Sequence, residues 1–345
     1  MKTKIAGLFQ GRSMDRAEAE SFMHKLLDQS TTPEQIAAAL GALRVKKETR
    51  DEIAGFASVI RERALRVPVK RVDSLMDTCG TGGDGAGTFN ISTASALVLA
   101  GAGIGIAKHG NRSVSSPCGS ADVLEALGVA VDQTPEEAAA SIDEIGFGFL
   151  FSPKFHPSLA RVGAVRKAIG VPTIFNILGP LANPAPIRTQ VLGVYDSNLT
   201  EVMAQVLGEL GLREALVFTG EGGLDEISLS SSTRVVHLKD GKTKTTNVSP
   251  EDAGLTRAPI AALKGGASAR ENAAILEAIL GGEKGPRRDV VCLNAGAGLV
   301  VNGMAAHLRE GAERAAQVID SGKPREVLRK LRERARGGVA KAGGP

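Results

Sequence analysis

Asp77-Thr-Cys-Gly-Thr-Gly-Gly-Asp-Gly-Ala-Gly-Thr-Phe-Asn-Ile-Ser-Thr93 is the stretch whose reading decides the fold of this chain. It begins where Leu75 and Met76 close an expected strand, passes through Gly80, Gly82, Gly83, Gly85 and Gly87, and runs into the helix-forming segment Ser92 to Ala100. Glycines let the backbone turn at positive φ and let N–H groups approach a ligand, and the start of a helix adds unpaired donors and the positive end of its dipole. A strand, a glycine loop and a helix start therefore predict an anionic ligand, and the interleaved Asp84, Thr88, Asn90, Ser92 and Thr93 point to phosphate. A glycine turn that binds nothing is the competing reading. No Gly-Lys-Ser/Thr follows and no GxGxxG opens the helix, so neither the Walker loop nor the dinucleotide fingerprint is present.

The surrounding composition bounds the molecule. The chain has 345 residues, 43% hydrophobic and 23% charged, enough for a sizeable core and two domains. No apolar run reaches the ~18 residues of a membrane span, and the start Met-Lys-Thr-Lys-Ile lacks a signal-peptide core, so a cytoplasmic protein without a membrane partner is expected. Cys79, Cys118 and Cys292 are far apart and odd in number, which predicts reduced thiols. A net charge of +4 suits anionic substrates, while 3% aromatics with no Trp gives little platform for stacking bases, so no nucleic-acid partner is expected.

Residues 1 to 66 read as helical. Phe22, Met23, Leu26 and Leu27 form an apolar stripe, and Thr32-Pro-Glu-Gln35 and Thr49-Arg-Asp-Glu52 are capping boxes. From Val72, apolar runs at 75–77, 104–107, 147–151, 190–194 and 215–218 alternate with helical segments at 120–127, 135–144 and 199–210, the pattern of a mainly parallel α/β sheet. Ligands of such sheets sit beyond the carboxyl ends of the strands, where the glycine loop lies. Residues 157–186, rich in helix formers and then in Pro and Gly, read as an excursion back to the helical part. Asp240-Gly241 predicts a hairpin between 235–238 and 243–248, and helices fill the remainder. The expected organisation is a helical domain at 1–66, completed by about 157–186, and an α/β domain at 72–156 and 190–345.

A second polar loop, Lys108-His-Gly-Asn-Arg-Ser-Val-Ser-Ser116, follows the run 104–107. Lys108 and Arg112 offer charge, Asn111 an amide, and Ser113, Ser115 and Ser116 hydroxyls, with Gly119-Ser120 opening the next helix: a donor set for several phosphates. Asp225-Glu226 is an adjacent acid pair in a loop, usually solvated, but near phosphates its carboxylates suit Mg²⁺, with Ser92 as a further oxygen ligand. Arg161 or Arg166 lies beside the stripe Leu159, Val162, Val165, as a surface residue or a carboxylate clamp. The basic run 325–336 mixes with Glu and Leu at helical spacing and reads as a solvated helix face.

Six segments in order, Cys79-Gly-Thr-Gly-Gly-Asp84, Asn90-Ile-Ser-Thr93, Lys108-His-Gly-Asn-Arg112, Gly119-Ser-Ala-Asp-Val-Leu-Glu125, Phe175-Asn-Ile-Leu-Gly-Pro-Leu-Ala-Asn-Pro184 and Leu224-Asp-Glu-Ile227, resemble the anthranilate phosphoribosyltransferase family. The likeness spans nearly the whole chain, including Leu43-Arg-Val-Lys-Lys-Glu-Thr49; Lys47 stands where the family often has Gly, and Pro117, where it often has Lys, would stiffen the phosphate loop. The resemblance implies an N-terminal helical domain hinged to a larger α/β domain with a mainly parallel central sheet, dimeric through the helices. It implies transfer of a phosphoribosyl group from phosphoribosyl pyrophosphate to anthranilate, a step of tryptophan biosynthesis. Gly80, Gly83, Asp84, Thr88, Asn90, Ser92, Thr93, Lys108 and Ser120, joined by Ser113, Ser115 and Ser116, are then expected at phosphoribosyl pyrophosphate, with Lys108 and Asp84 catalytic. Gly80, Asn111 and Arg166, with His109, are expected at anthranilate, and Ser92, Asp225 and Glu226 at Mg²⁺. A pyrimidine nucleoside phosphorylase of the same architecture is the near alternative; it binds one phosphate and has no need of the acid pair. An idle relative that binds nucleic acid would show lost site residues and a concentrated basic face.

Overall fold

The computed structural model describes residues 1–113 and 117–342. The chain opens with four helices, α1 (Lys2–Phe9), α2 (Arg16–Leu26), α3 (Pro33–Lys46) and α4 (Arg50–Glu62). Reciprocal capping boxes at Thr32 with Gln35 and Thr49 with Glu52 start α3 and α4 as their sequences predict, and Asp15 with Glu18 does the same for α2. The stripe of Phe22, Met23, Leu26 and Leu27 is buried. Glu52 is buried too, its carboxylate accepting from Thr49 N (2.8 Å), Met14 N (3.0 Å) and Lys46 Nζ (2.8 Å), so one capping residue also fixes the start of α2. Lys47, just past α3, is held at φ 72°, ψ 136°, which is glycine territory.

Beyond the bundle come β1 (Leu75–Gly80), α5 (Ile91–Gly101), β2 (Gly105–Gly110), α6 (Ser120–Ala126), α7 (Pro135–Ile145), β3 (Phe147–Phe151), α8 (Ser152–Phe155), α9 (Ala160–Ile169), α10 (Phe175–Leu178), β4 (Thr189–Gly193), α11 (Leu199–Glu209), β5 (Glu214–Gly220), β6 (Thr233–Lys239) and β7 (Lys242–Val248). Four helices close the chain: α12 (Ala269–Leu280), α13 (Pro286–Val301), α14 (Leu308–Asp320) and α15 (Lys323–Ala342). The strands form one sheet in the order β3-β2-β1-β4-β5-β6-β7. Its first five strands pair in parallel, and the β6–β7 hairpin, turning at Asp240-Gly241, is antiparallel. The outermost strand, β7, is polar and mostly exposed.

The apolar runs are explained by burial on both faces of the sheet. Leu75, Ala107, Leu150, Leu192, Ala215 and Val217 join a core shared with the helical bundle and α11. Their neighbours Met76, Ile106, Phe149, Val191, Leu216 and Phe218 join a second core with α5, α12, α13 and α15. Within the excursion at 157–186, α9 packs on α3 and α10 on α4, beside the bundle. In α15, Arg329 pairs with Glu326 and Glu333, Arg332 with Glu277 and Arg334 with Glu144, so these arginines form a paired, solvated face.

β1 and β2 each run three residues past their expected ends, β1 through Thr78 and Cys79 to Gly80 and β2 through Lys108 and His109 to Gly110. Lys108 is therefore a strand residue and not part of a polar loop.

Candidate active site

The site forms at the carboxyl ends of β1, β2, β4 and β5. Gly82, Gly83, Gly85 and Gly87 all stand at positive φ, which gives the loop after β1 its repeated turns. Asp84 Oδ1 accepts from Ala86 N (3.1 Å), an Asx turn within it. Asp225, from the loop after β5, reaches across: its Oδ2 accepts from Gly82 N at 2.7 Å. Glu226 Oε1 accepts from Ser92 N at 3.0 Å in the first turn of α5. The acid loop is held from behind by Asn294 of α13, whose Oδ1 accepts from Ile227 N (2.9 Å) and whose Nδ2 donates to Ile227 O (3.1 Å).

Two glycines make the space for Asp225. A Cβ on Gly80 would lie 2.3 Å from Asp225 Oδ2, and one on Gly193, at the end of β4, would lie 1.7 Å from the Asp225 carbonyl oxygen. Gly80, Gly82, Asp84, Ser92, Asp225 and Glu226, separated by up to about 145 positions in the chain, are thus brought together.

The two acids are not solvated. Burial, and next the neighbouring Asp84, push the half-buried Asp225 carboxyl up to about 7; burial and then Asp225 hold Glu226 well above the usual carboxylate range. Lys108 opposes this shift of Glu226. It is buried, with Nζ donating to Thr78 O (2.5 Å) and Ser92 Oγ (3.4 Å), and burial lowers its pKa against the pull of Asp77. Lys108 therefore ties β2 to β1 and α5 from beneath the loop.

The oxygen donors of the pocket include atoms with no protein partner: Asp84 Oδ2, Asn90 Oδ1 and Thr93 Oγ1 are buried and unpaired. A buried polar atom without a partner is costly, and orphans converging on one helix start and one glycine loop mark a place for a polar ligand. Among the described residues no cluster of three His, Cys, Asp or Glu side chains forms a closed metal cage. Two desolvated carboxylates beside a phosphate-type loop instead fit a hard cation that takes the rest of its oxygens from substrate and water.

The other expected residues divide into groups. Thr88 bridges the backbone of Lys264, and Asn90 Nδ2 donates to Cys118 O (3.1 Å), tying α5 to the segment before α6. Ser120 Oγ and Ala121 N both donate to Asn111 O, at 3.3 and 3.2 Å, folding the end of β2 back on α6. Ser113 N donates to Asp122 Oδ2 (3.0 Å), while Ser115 and Ser116 lie outside the described residues. Arg112 does not hold its charge free for phosphate: it forms a two-pronged pair with Glu125 (2.7 and 2.9 Å), bonds Asp122 (3.0 Å) and lies over the Phe151 ring.

His109 turns toward the helical side, with Nδ1 3.2 Å from Gly179 O and Nε2 3.2 Å from His156 Nε2. Burial pushes His109 down to about 3 and His156 to about 4, so both rings are neutral. Arg166 stands in α9, half-buried over the Phe175 ring and donating to Asn176 Oδ1 (3.4 Å). No direct contact joins it to the glycine loop among the described residues; His109, His156, Gly179 and the Phe175–Asn176 turn make a separate wall. Arg161, by contrast, donates to the carbonyls of Asp28 (3.0 Å) and Thr31 (2.6 Å), a link to the bundle.

Asn183 and Gln190 join wall and loop. Asn183 Nδ2 donates to Asp77 Oδ2 and to Ala107 O, both at 2.8 Å, and Gln190 Nε2 to Pro180 O (2.8 Å) and Cys79 Sγ (3.1 Å). Asn183 lies inside the Phe175–Pro184 segment that carries the resemblance; Gln190 and Gly193 have no local signature.

A helical bundle packed on a mostly parallel sheet, with a glycine loop facing buried acids, is the architecture of a glycosyl transferase. The helical bundle domain of the glycosyl transferase family matches residues 2–64, and its a/b domain matches residues 72–325. The anthranilate phosphoribosyltransferase of Symbiobacterium thermophilum is 53% identical over 333 residues, 96% of this chain and 97% of that protein. The crystal structure of the Thermus thermophilus anthranilate phosphoribosyltransferase superposes with a TM-score of 0.91 at 43% identity, covering 96% of this chain and 99% of that one. The Saccharomyces cerevisiae enzyme in complex with PRPP and Mg superposes at 0.84 with 28% identity, covering 93% of each chain. The chain belongs to the anthranilate phosphoribosyltransferase family.

Proposed function

We propose that the protein transfers the 5-phosphoribosyl group of phosphoribosyl pyrophosphate to the amine of anthranilate, releasing pyrophosphate, in tryptophan biosynthesis. The observation that carries this reading is the meeting of the loop at Gly80–Thr88 with Asp225 and Glu226, two desolvated carboxylates that a nucleoside phosphorylase has no use for. The leaving group is a diphosphate, so the site's main task is to stabilise growing negative charge while the anomeric carbon becomes electron-poor.

In this reading Gly80, Gly83, Asp84, Thr88, Asn90, Ser92, Thr93 and Ser120, with Ser113, Ser115 and Ser116, bind phosphoribosyl pyrophosphate through loop N–H groups, hydroxyls and the α5 start. The unpaired Thr93 Oγ1 supports this part as a hydroxyl donor, and the unpaired Asn90 Oδ1 as an acceptor for a sugar hydroxyl. Ser92, Asp225 and Glu226 hold Mg²⁺, which when bound neutralises charge on the diphosphate. Asp84 presses on Asp225 electrostatically, and Lys108, buried under Ser92, keeps Glu226 from carrying an uncompensated charge. Anthranilate lies toward Gly80 and Asn111 and the wall formed by His109 and Arg166. Its amine is neutral near pH 7, so positioning matters more than a strong base, and the low basicity of His109 accords with that.

The working unit is a homodimer joined through the helical domain, completed by the excursion at 157–186. Phe9 and Val45, exposed at 66% and 84% on the ends of α1 and α3, support this. No helix among the described residues is long and apolar enough to cross a membrane, and we place the reaction in the cytoplasm.

Purified protein given phosphoribosyl pyrophosphate, anthranilate and Mg²⁺ is expected to consume anthranilate, read as loss of its fluorescence, and to stop on chelation. Unchanged fluorescence with fresh substrates would overturn the assignment.

A further inference from the structure

We infer that Lys264 is a further substrate-binding residue, its ammonium taking a phosphate of the donor sugar at the Gly87–Thr88 bend; the inference rests on the proposed function. Its basis is a short piece of antiparallel pairing outside the strands of the sheet. Thr88 and Lys264 face each other across a bridge, flanked by Phe89 N donating to Leu263 O (3.1 Å) and Gly265 N donating to Gly87 O (3.0 Å). Main-chain pairing therefore sets the Lys264 side chain on the glycine loop whatever its own contacts.

That side chain folds over the loop. Its Nζ lies 3.3 Å from where a Cβ on Gly87 would stand, at a bend of φ +64°. The missing methyl leaves room for the ammonium to sit against the backbone, above N–H groups that already suit an anion. The segment that carries it is braced: Arg287 donates to Lys264 O (2.9 Å), and the Asn272 side chain both accepts from Gly266 N (3.2 Å) and donates to Gly266 O (3.0 Å). The lysine thus arrives on a fixed stem.

Charge availability separates Lys264 from Lys108 and Arg112. Lys108 is buried and occupied by Thr78 O, and Arg112 is committed to Glu125 and Asp122. Lys264 is exposed, and its Nζ has no ion-pair or hydrogen-bond partner among the described residues. A point charge on a flexible stem suits a phosphate oxygen.

The test compares wild type with K264Q and K264R. A hydrogen bond to a charged group, discounted for solvent exposure, leads us to expect K264Q to raise the KM for phosphoribosyl pyrophosphate about 5- to 20-fold at low salt. The anthranilate KM and the thermal midpoint should stay within about twofold and ~1 °C of wild type, and K264R should recover most of the loss. The difference should shrink at 0.5 M salt, where the Debye length falls to about 4 Å from about 10 Å at 0.1 M and an exposed charge is screened. Competition by inorganic pyrophosphate and by ribose 5-phosphate tells which end of the donor is held, because only the competitor sharing that end is weakened by K264Q. Wild-type KM and wild-type inhibition by both competitors in K264Q would overturn the inference. If wild type leaves anthranilate untouched, the proposed function falls instead, and calorimetric titration of wild type and K264Q with the same two anions still decides the lysine: equal affinities reject it.

Discussion

Replacing Gly193 with alanine tests whether the ends of β1 and β4 set the position of the acid pair. Gly193 has no special backbone angle, so the substitution acts through space alone. The new methyl carbon would sit 1.7 Å from the Asp225 carbonyl oxygen and 2.4 Å from its carbonyl carbon, where ordinary contact begins at 3.4 Å. Both are main-chain atoms, so no side-chain rotation relieves the clash, and the Asp225–Glu226 loop must move by more than 1 Å, roughly the displacement that costs 10²-fold when a catalytic constellation is misplaced. Overpacking of this kind also costs about 1–3 kcal/mol of stability. At ~2.1 cal/mol/K per residue over the α/β part, that is a thermal midpoint lower by about 2–6 °C. The assay is anthranilate fluorescence across a Mg²⁺ titration: G193A should lose about 100-fold in kcat/KM and need more Mg²⁺ for half-maximal rate. Gly105→Ala is the control, since its methyl would meet Leu75 Cδ1 at an ordinary 3.5 Å. A G193A protein with wild-type kcat/KM and Mg²⁺ midpoint would refute the argument that this glycine makes room for the acids.

The neutral histidine pair gives a pH prediction. Their folded-state pKa values, about 3 for His109 and about 4 for His156, lie below the ~6.5 of a solvated imidazole, so below pH 6.5 the unfolded chain takes up protons that the folded one refuses. Stability should fall as pH drops from 6.5 toward 4, by up to about 1.4 kcal/mol per histidine per pH unit, and H156Q should flatten that slope in chemical denaturation; an unchanged slope would remove His156 from the account. Lys47, at φ 72° after α3, pays for a conformation that glycine adopts freely, so K47G should raise the thermal midpoint, with about 1 kcal/mol of strain relieved; a lower midpoint by calorimetry would show the lysine's own contacts outweigh the strain.

Local chemistry made much of this fold legible. Capping boxes located α3 and α4, and short apolar runs located the parallel strands, because these signals depend on residues only a few positions apart. The same locality misplaced the end of β2. Lys108 and His109 look like loop residues until Thr78 O, Ser92, Gly179 O and His156 are brought around them. The acid pair left two readings open, a solvated loop or a cation site beside phosphates, and only Gly80 and Gly193 from other strands show the space that lets it be buried. Asn183 reaches Asp77, Gln190 reaches Cys79, Asn294 reaches Ile227 and Lys264 bridges Thr88, each across dozens of positions or more, where no spacing rule reaches. The glycine loop, in contrast, announced itself because positive φ requires glycine wherever the loop turns.

The outermost strand of the sheet bears on how copies of this molecule can meet. A free strand edge is a template on which another chain can dock by backbone pairing, and β7 is guarded by Lys242 and Lys244 among threonines. Two such margins approaching each other would bring like charges together before any hydrogen bond formed. The β7 margin is in this way guarded against pairing edge to edge with a second copy.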